Sequence, residues 1–273
     1  MNSALIDTVS ALLAQAASDI VLPRFRSLRA EDVSEKSPGE IVTVVDRAVE
    51  AMLIPQLTAL RAGSRVVGEE GVSDNPALLG GLEYGEVWVV DPIDGTNNFV
   101  HGREDFGIMV ALLRDGVSQI AWIQFPLTGS IAIAERGSGA YFDGQRLQLA
   151  PRAEGREDLL RGIVKTGYMP EPMRGTVDAR AERHVQQRVA GTQSACGDYL
   201  SYALGDPDFA LYWRMLPWDH APGTLLLTEA GGHVARHDGS AYRASDNGKG
   251  LLVARSKEVW DEAQKRLLSS GGS

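Results

Sequence analysis

The sequence predicts an α/β or α+β chain, because three patterns alternate along it: a helical three-and-four apolar repeat, short β-rich runs, and turn signals between closely spaced strands. The helical repeat comes first. Leu5, Val9, Leu12, Leu13, Ala16 and Ile20 share one face, which makes residues 3 to 22 an amphipathic helix. Val49, Met52, Leu53, Leu57 and Leu60 repeat the pattern, and Thr43 to Asp46 ahead of them has the form of a capping box. Between the two helices, Glu35 to Glu40 is polar and lacks apolar anchors, so it is predicted as a loop. Such loops serve as lids, and its Lys36 to Glu40 part is expected to fold over a site once that site is filled.

From Ser64 the period changes. Val66-Val67 and Val87 to Val90 predict short buried strands that end at acidic residues with glycine close by. Residues 106 to 142 alternate strand-like runs with turn signals at Arg114-Asp115-Gly116, Leu127-Thr128-Gly129 and Asp143-Gly144, the pattern of an antiparallel meander. The charged stretch Pro151 to Asp158 is the expected junction between an N-terminal half (residues 1–150) and a C-terminal half (residues 151–273) packed as one compact unit. Beyond it, helices are predicted near 172 to 189 and 196 to 204, and a strand near 208 to 213. A helix from about 221 to 230 is stopped by Gly231-Gly232, a last helix starts from Ser256, and Ser269 to Ser273 reads as disordered.

The 273 residues, 44% hydrophobic, suffice for a sizeable core. The formal net charge of -9 argues against a nucleic-acid binder that relies on a basic surface. A small anionic partner stays compatible with it, since a bound divalent metal reverses the local sign. The single cysteine, Cys196, asks for no oxidising compartment, so a cytoplasmic protein is expected. Asp7 and Asp19 interrupt what would be a signal-peptide core, and no run approaches the roughly 18 apolar residues of a membrane span, so no membrane association is expected.

Asp91 and Asp94 lie three apart at the end of a hydrophobic run, with Pro92 restricting the backbone between them and Gly95 permitting a sharp turn. That geometry can aim both carboxylates at one spot, where each tends to hold a proton unless a cation sits between them. A hard ion with oxygen ligands resolves the conflict, and Mg²⁺ commonly takes one or two carboxylates plus waters and substrate phosphate. Asp-Pro and Asp-Gly also form ordinary turns. If a helix begins after Gly95 and Thr96, its free N–H groups make a phosphate site beside the metals. Gly68-Glu69-Glu70-Gly71 puts another pair of carboxylates at a strand end, a pattern it shares with solvated loops. Trp218-Asp219 precedes a helix-like run, where an Asp is ordinarily an N-cap.

Taken together, Gly68-Glu69-Glu70, the run Asp91 to Phe99, and Trp218 to Gly223 with Glu229 to Gly232 resemble the signatures of the inositol monophosphatase family in order and spacing. The likeness extends from Thr43 to Gly232. It implies a layered α-β-α-β-α sandwich, a homodimer, and hydrolysis of a small phosphorylated metabolite with two to three Mg²⁺ ions, inhibited by Li⁺. By position, the resemblance gives Glu69, Asp91 and the Ile93 carbonyl to a first metal, Asp91, Asp94 and Asp219 to a second, and Glu69 again to a weaker third. Asp46, Glu70 and Thr96 match the positions that orient or deprotonate the attacking water, and Gly95 and Thr96 those at the phosphate. Asp94, Ser194, Cys196, Tyr212 and Asp219 match positions at the substrate.

Phosphoryl transfer passes through a loose transition state, so alignment and charge neutralisation carry it and no covalent nucleophile is needed. Cys196 is accordingly read as a small buried hydrophobe rather than a catalytic thiol. Two departures bear on the substrate. Tyr212, followed by Trp213 and Arg214, stands where inositol-preferring enzymes carry an acidic residue, and Gln193-Ser194-Ala195-Cys196 replaces the usual Gly-Ser-Ala-Ala. The lost carboxylate puts inositol preference in doubt and leaves inositol, histidinol, sugar and nucleotide 3′-phosphates all open. A rival of another class is a non-catalytic metal- or phosphate-binding protein of the same fold; a lost ligand would favour it, and none is lost.

Overall fold

The computed structural model describes residues 3–37, 39–150, 160–188, 191–246 and 248–269. The expected junction at Pro151 to Asp158 and all but Ser269 of the expected disordered tail lie outside them. The first helical path departs from a single α-helix: α1 (Ser3–Ala16) widens into a π turn over Ala17–Val21 and tightens to a 3-10 turn at Leu22–Arg24. Pro23 has no N–H to give, so a regular helix cannot pass it. The stretch Ala4–Arg24 is long and apolar enough to cross a membrane, which corrects the expectation that no such run exists. Its packing is that of a core helix: Val9, Leu13, Ala16 and Val21 are buried in one cluster with Trp88, Val90 and Trp122, while Asp7, Gln15, Ser18 and Asp19 face outward.

The predicted loop at Glu35 to Glu40 is instead part of an antiparallel pair, β1 (Val33–Ser37) and β2 (Glu40–Thr43). Backbone pairing alone can hold a two-stranded ribbon whose side chains are mostly polar, and such a ribbon carries no apolar periodicity to read. Thr43 then caps α2 (Val44–Leu60): its Oγ1 accepts from the Val45 N–H at 3.1 Å, and its own N–H donates to Asp46 Oδ2 at 2.8 Å.

A seven-stranded sheet follows in sequence order: β3 (Arg65–Gly68), β4 (Glu86–Asp94), β5 (Gly107–Arg114), β6 (Val117–Gln124), β7 (Ile131–Glu135), β8 (Gly139–Phe142) and β9 (Gln145–Leu147). The β3–β4 pair is parallel and the rest antiparallel, with the short helices α3 (Glu69–Asp74) and α4 (Thr96–Val100) at the ends of β3 and β4. Asp115 and Asp143 turn the meander with positive φ, each followed by a glycine that does the same.

The C-terminal half supplies β10 (Leu160–Val164), α5 (Met173–His184), β11 (Val185–Arg188), α6 (Ala195–Ala203), β12 (Phe209–Tyr212), α7 (Pro217–Glu229), β13 (His233–Arg236), β14 (Leu251–Ala254) and α8 (Lys257–Leu267). Its five strands pair in the order β11-β10-β12-β14-β13. The helix expected to reach 189 stops at His184, because the next residues pair with the free edge of β10. The helix expected from 221 starts four residues earlier, with Pro217 as its first residue, a position that needs no N–H.

Three hydrophobic clusters define five layers. α1 and α2 cover one face of the large sheet, α6 and α7 fill the space between the sheets, and α5 and α8 cover the outer face of the small one. Strand alternation sorts the residues: Ala210 and Tyr212 of β12 face the middle layer, Phe209 and Leu211 the outer one.

Candidate active site

A cavity of about 800 Å³ opens where the ends of β3 and β4, the β1–β2 ribbon, and the starts of α6 and α7 meet. Glu69, Asp91, Ile93, Asp94, Gly95, Thr96 and Asp219 all line it. Two of them are neighbours because β3 and β4 run parallel with Gly68 opposite Val90, so that Glu69 and Asp91 come next at the same end. A register shift then puts three steps of β4, from Asp91 to Asp94, against two steps of β5, from Met109 to Gly107. The extra residue re-aims the strand end. Gly95 turns the chain into α4 with φ +82°, where a Cβ would lie 2.8 Å from the Asp105 carbonyl oxygen and 2.9 Å from Ser194 Cβ. No other residue fits there without displacing backbone.

Asp219 reaches the cavity from α7. Leu216 is the N-cap, so Asp219 is the third helical residue and not the cap that its sequence setting suggests. Its carboxylate is left free for the cavity.

The buried acids repel one another. Burial, then the charges of Glu69, Asp94 and Asp219, push the Asp91 carboxyl well above its ordinary range. Burial, then Asp94 and Glu69, do the same to Asp219. Burial also raises Asp94, against hydrogen bonds from Cys196 and Ala195. Both Asp94 oxygens are held at the start of α6, Oδ1 by the Ala195 N–H at 2.9 Å and Oδ2 by the Cys196 N–H at 2.6 Å. Asp91 Oδ1 and Glu70 Oε2 are fully buried with no hydrogen-bond partner. Orphaned carboxylate oxygens among mutually repelling carboxylates are the donor set a hard divalent cation requires. Among the described residues, however, no three His, Cys, Asp or Glu side chains are already gathered as a ready-made cage.

Lys36, on the ribbon read from sequence as a loop, supplies the local counter-charge: its Nζ lies 3.0 Å from Glu69 Oε1 and 2.5 Å from Glu70 Oε1. Burial works against this ammonium, but Glu69 and Glu70 hold its pKa above the ordinary lysine value. Glu70 sits in the first turn of α3 and is 3% exposed, so it is no solvated loop residue. Burial raises it to about 7 despite Lys36. Glu50 of α2 accepts the N–H groups of Glu70 and Gly71 at 2.9 and 2.8 Å and so fixes the start of α3. A carboxylate on the same helical stripe as Val49 and Leu53 was the sequence signal for Glu50.

Thr96 Oγ1 lies 2.9 Å from the Ile93 carbonyl oxygen and 3.2 Å from Asp46 Oδ1. Asp46 is raised to about 6 by burial, against its hydrogen bonds from Thr43.

The expected substrate positions divide. Ser194 lines the cavity but its hydroxyl oxygen is occupied as the N-cap of α6, 3.2 Å from the Gly197 nitrogen. Cys196 does not line the cavity: its thiol is fully buried under Gly107, and the residue serves the site only through Asp94, which its backbone N–H and its thiol both hold. Tyr212 stacks on Tyr199 with centroids 6.0 Å apart and is 4% exposed. Lys165, Tyr168, Trp213 and Arg214 share that wall. For Lys165 the available signal was a cation placed directly after Gly162-Ile163-Val164, at the end of the strand Leu160–Val164.

The model of the inositol monophosphatase family matches residues 2–270. A protein of Thermotoga maritima named fructose-1,6-bisphosphatase/inositol-1-monophosphatase is 31% identical over 78% of this chain and 78% of its own length. A histidinol-phosphatase of Chlorobaculum parvum is 30% identical over 89% of each. Among solved structures, an IMPase of Thermotoga maritima superposes with a TM-score of 0.78 at 26% identity, over 98% of this chain and 97% of that one.

Proposed function

Since the chain belongs to the inositol monophosphatase family, whose members hydrolyse phosphate monoesters and are generally metal-dependent, we propose that it is a Mg²⁺-dependent phosphatase of a small phosphorylated metabolite. The observation that carries this reading is the buried, partnerless Asp91 Oδ1 in a cavity also lined by Glu69, Asp94 and Asp219. Glu69, Asp91, Asp94, Asp219 and the carbonyl of Ile93 are the ligands for two to three ions. Ions bound there supply Lewis acidity to a water and neutralise charge on phosphate and leaving group.

The chain's own groups have separable tasks. Glu70, raised to about 7, can take a proton from water near neutral pH, where such a base is most effective. Thr96 orients that water, its hydroxyl fixed between Asp46 and the Ile93 carbonyl. Gly95 lets the backbone approach the phosphate where a side chain would block it. Lys36, on the ribbon across the cavity, balances Glu69 and Glu70.

We further propose a cytoplasmic protein, since its single cysteine asks for no oxidising compartment, and, on the strength of family likeness, a homodimer sensitive to Li⁺. The test is phosphate release from a panel of monoesters with Mg²⁺ and with chelator, in wild type and Asp94→Asn. Release that needs Mg²⁺ and disappears in a folded Asp94→Asn variant is expected; equal release by both proteins would remove the site from the mechanism.

A further inference from the structure

Building on the phosphatase reading, we propose that Arg214 sets the specificity of this chain by holding a second anionic group, phosphate or carboxylate, on the leaving part of the substrate. The cavity runs from the carboxylates to a wall supplied by the C-terminal half. That wall offers no carboxylate at position 212 to accept hydroxyl bonds; Tyr212 is packed away, and its hydroxyl is buried. Two cations stand near it instead, and they differ in how they are committed.

Lys165 Nζ lies 2.6 Å from Asp198 Oδ2, a fully buried carboxylate. Taking Lys165 away from that partner would strand a buried charge, so it stays where it is. Arg214 is held differently. Its guanidinium lies 4.5 Å over the ring of Tyr168, which is 63% exposed at the cavity mouth. Stacking fixes the plane of the fork without using its N–H donors. Its Nη1 pairs with Glu40 Oε1, and that Glu40 side chain is 44% exposed on the outer ribbon. A guanidinium has five N–H donors and matches carboxylate or phosphate oxygens two at a time. The Glu40 carboxylate therefore occupies an anion position on Arg214 that a substrate anion can take over at small cost, because Glu40 can return to water. A leaving group that is a neutral alcohol gains nothing from this fork.

The experiment compares kcat/KM for three esters with Mg²⁺: glycerol 2-phosphate (neutral leaving group), 2-phosphoglycerate (carboxylate) and fructose 1,6-bisphosphate (second phosphate). Wild type should prefer at least one anionic ester over glycerol 2-phosphate. Arg214→Gln should reduce that preference about 10- to 100-fold, chiefly through KM, as expected for a lost charge-assisted hydrogen-bond pair. Arg214→Lys should restore only part of it, and Glu40→Gln should raise the preference a few-fold by weakening the competitor. Which anionic ester gains separates phosphate from carboxylate. An unchanged preference in Arg214→Gln, or none in wild type, overturns the proposal. No release from any of the three, nor from inositol, histidinol and nucleotide 3′-phosphates, overturns the phosphatase reading itself, and the two failures are thereby told apart.

Discussion

The two ends of the cavity are built on opposite plans. At one end Glu69, Asp91 and Asp94 come from adjacent strand ends of the large sheet, and burial together with the charges of Glu69, Asp94 and Asp219 raises the proton affinity of Asp91. At the other end Lys165 and Arg214 come from the small-sheet half and are each paired with a carboxylate. The first end is electrostatically strained; the second is balanced. Relatives within the family carry different names, a fructose-1,6-bisphosphatase/inositol-1-monophosphatase and a histidinol-phosphatase among them, as one fold with exchangeable substrate contacts allows.

Breaking the strained end should have the largest effect. Asp219→Asn is predicted to lower kcat by about a thousand-fold or more while leaving the far-ultraviolet circular dichroism unchanged. The same end should show a gain of stability when its charge is removed. Asp91→Asn is expected to raise the melting temperature in chelator, by an amount equivalent to about 1–3 kcal/mol, because an acid that burial and three neighbours disfavour is replaced by a neutral group. A melting temperature that falls in chelator would mean that the carboxylates are not in conflict.

The balanced end has its own pH signature. His237 lies beside Trp213 with ring centroids 6.0 Å apart, and burial lowers its pKa to about 4 from 6.5. Below pH 6.5 the unfolded chain takes up this proton while the folded one resists until about pH 4. Stability should therefore fall as pH drops through that window, by about 3 kcal/mol once both states are protonated. Denaturant titrations of wild type and His237→Gln should diverge in slope between pH 6.5 and 4; parallel curves would place the acid sensitivity elsewhere. The smallest effect concerns the ribbon that spans the two ends: trypsin cleavage after Lys36 is expected to slow several-fold with Mg²⁺ and phosphate, and identical rates would show that filling the site does not hold the ribbon.

Legibility followed the same division. Strands at Val66 and Val87 and the meander at 106 to 142 were readable because apolar periodicity and Asp-Gly turns are local signals. The Asp91 to Thr96 turn was readable because proline and glycine announce their backbone constraints. Asp219 was ambiguous: an acid before a helix looks the same whether it caps or sits one turn in, and only the Pro217 start decides. Lys36 was hidden because its partners Glu69 and Glu70 lie more than thirty residues away and its own strand, Val33–Ser37, is polar after Val33. The strand Val185–Arg188 was hidden for a similar reason, since only the exposed edge of β10 draws those residues out of the preceding helix. The pairing of Arg214 with Tyr168 at the cavity wall depends on a stacking geometry that no spacing rule encodes.

The central claim is that Glu69, Asp91, Asp94 and Asp219 jointly hold divalent cations. Calorimetric titration of Mg²⁺ into chelator-stripped protein tests it most directly, with wild type set against single Glu69→Gln, Asp91→Asn, Asp94→Asn and Asp219→Asn variants. Saturable binding that weakens by about tenfold or more in every variant is predicted. Wild-type affinity retained in all four would contradict it.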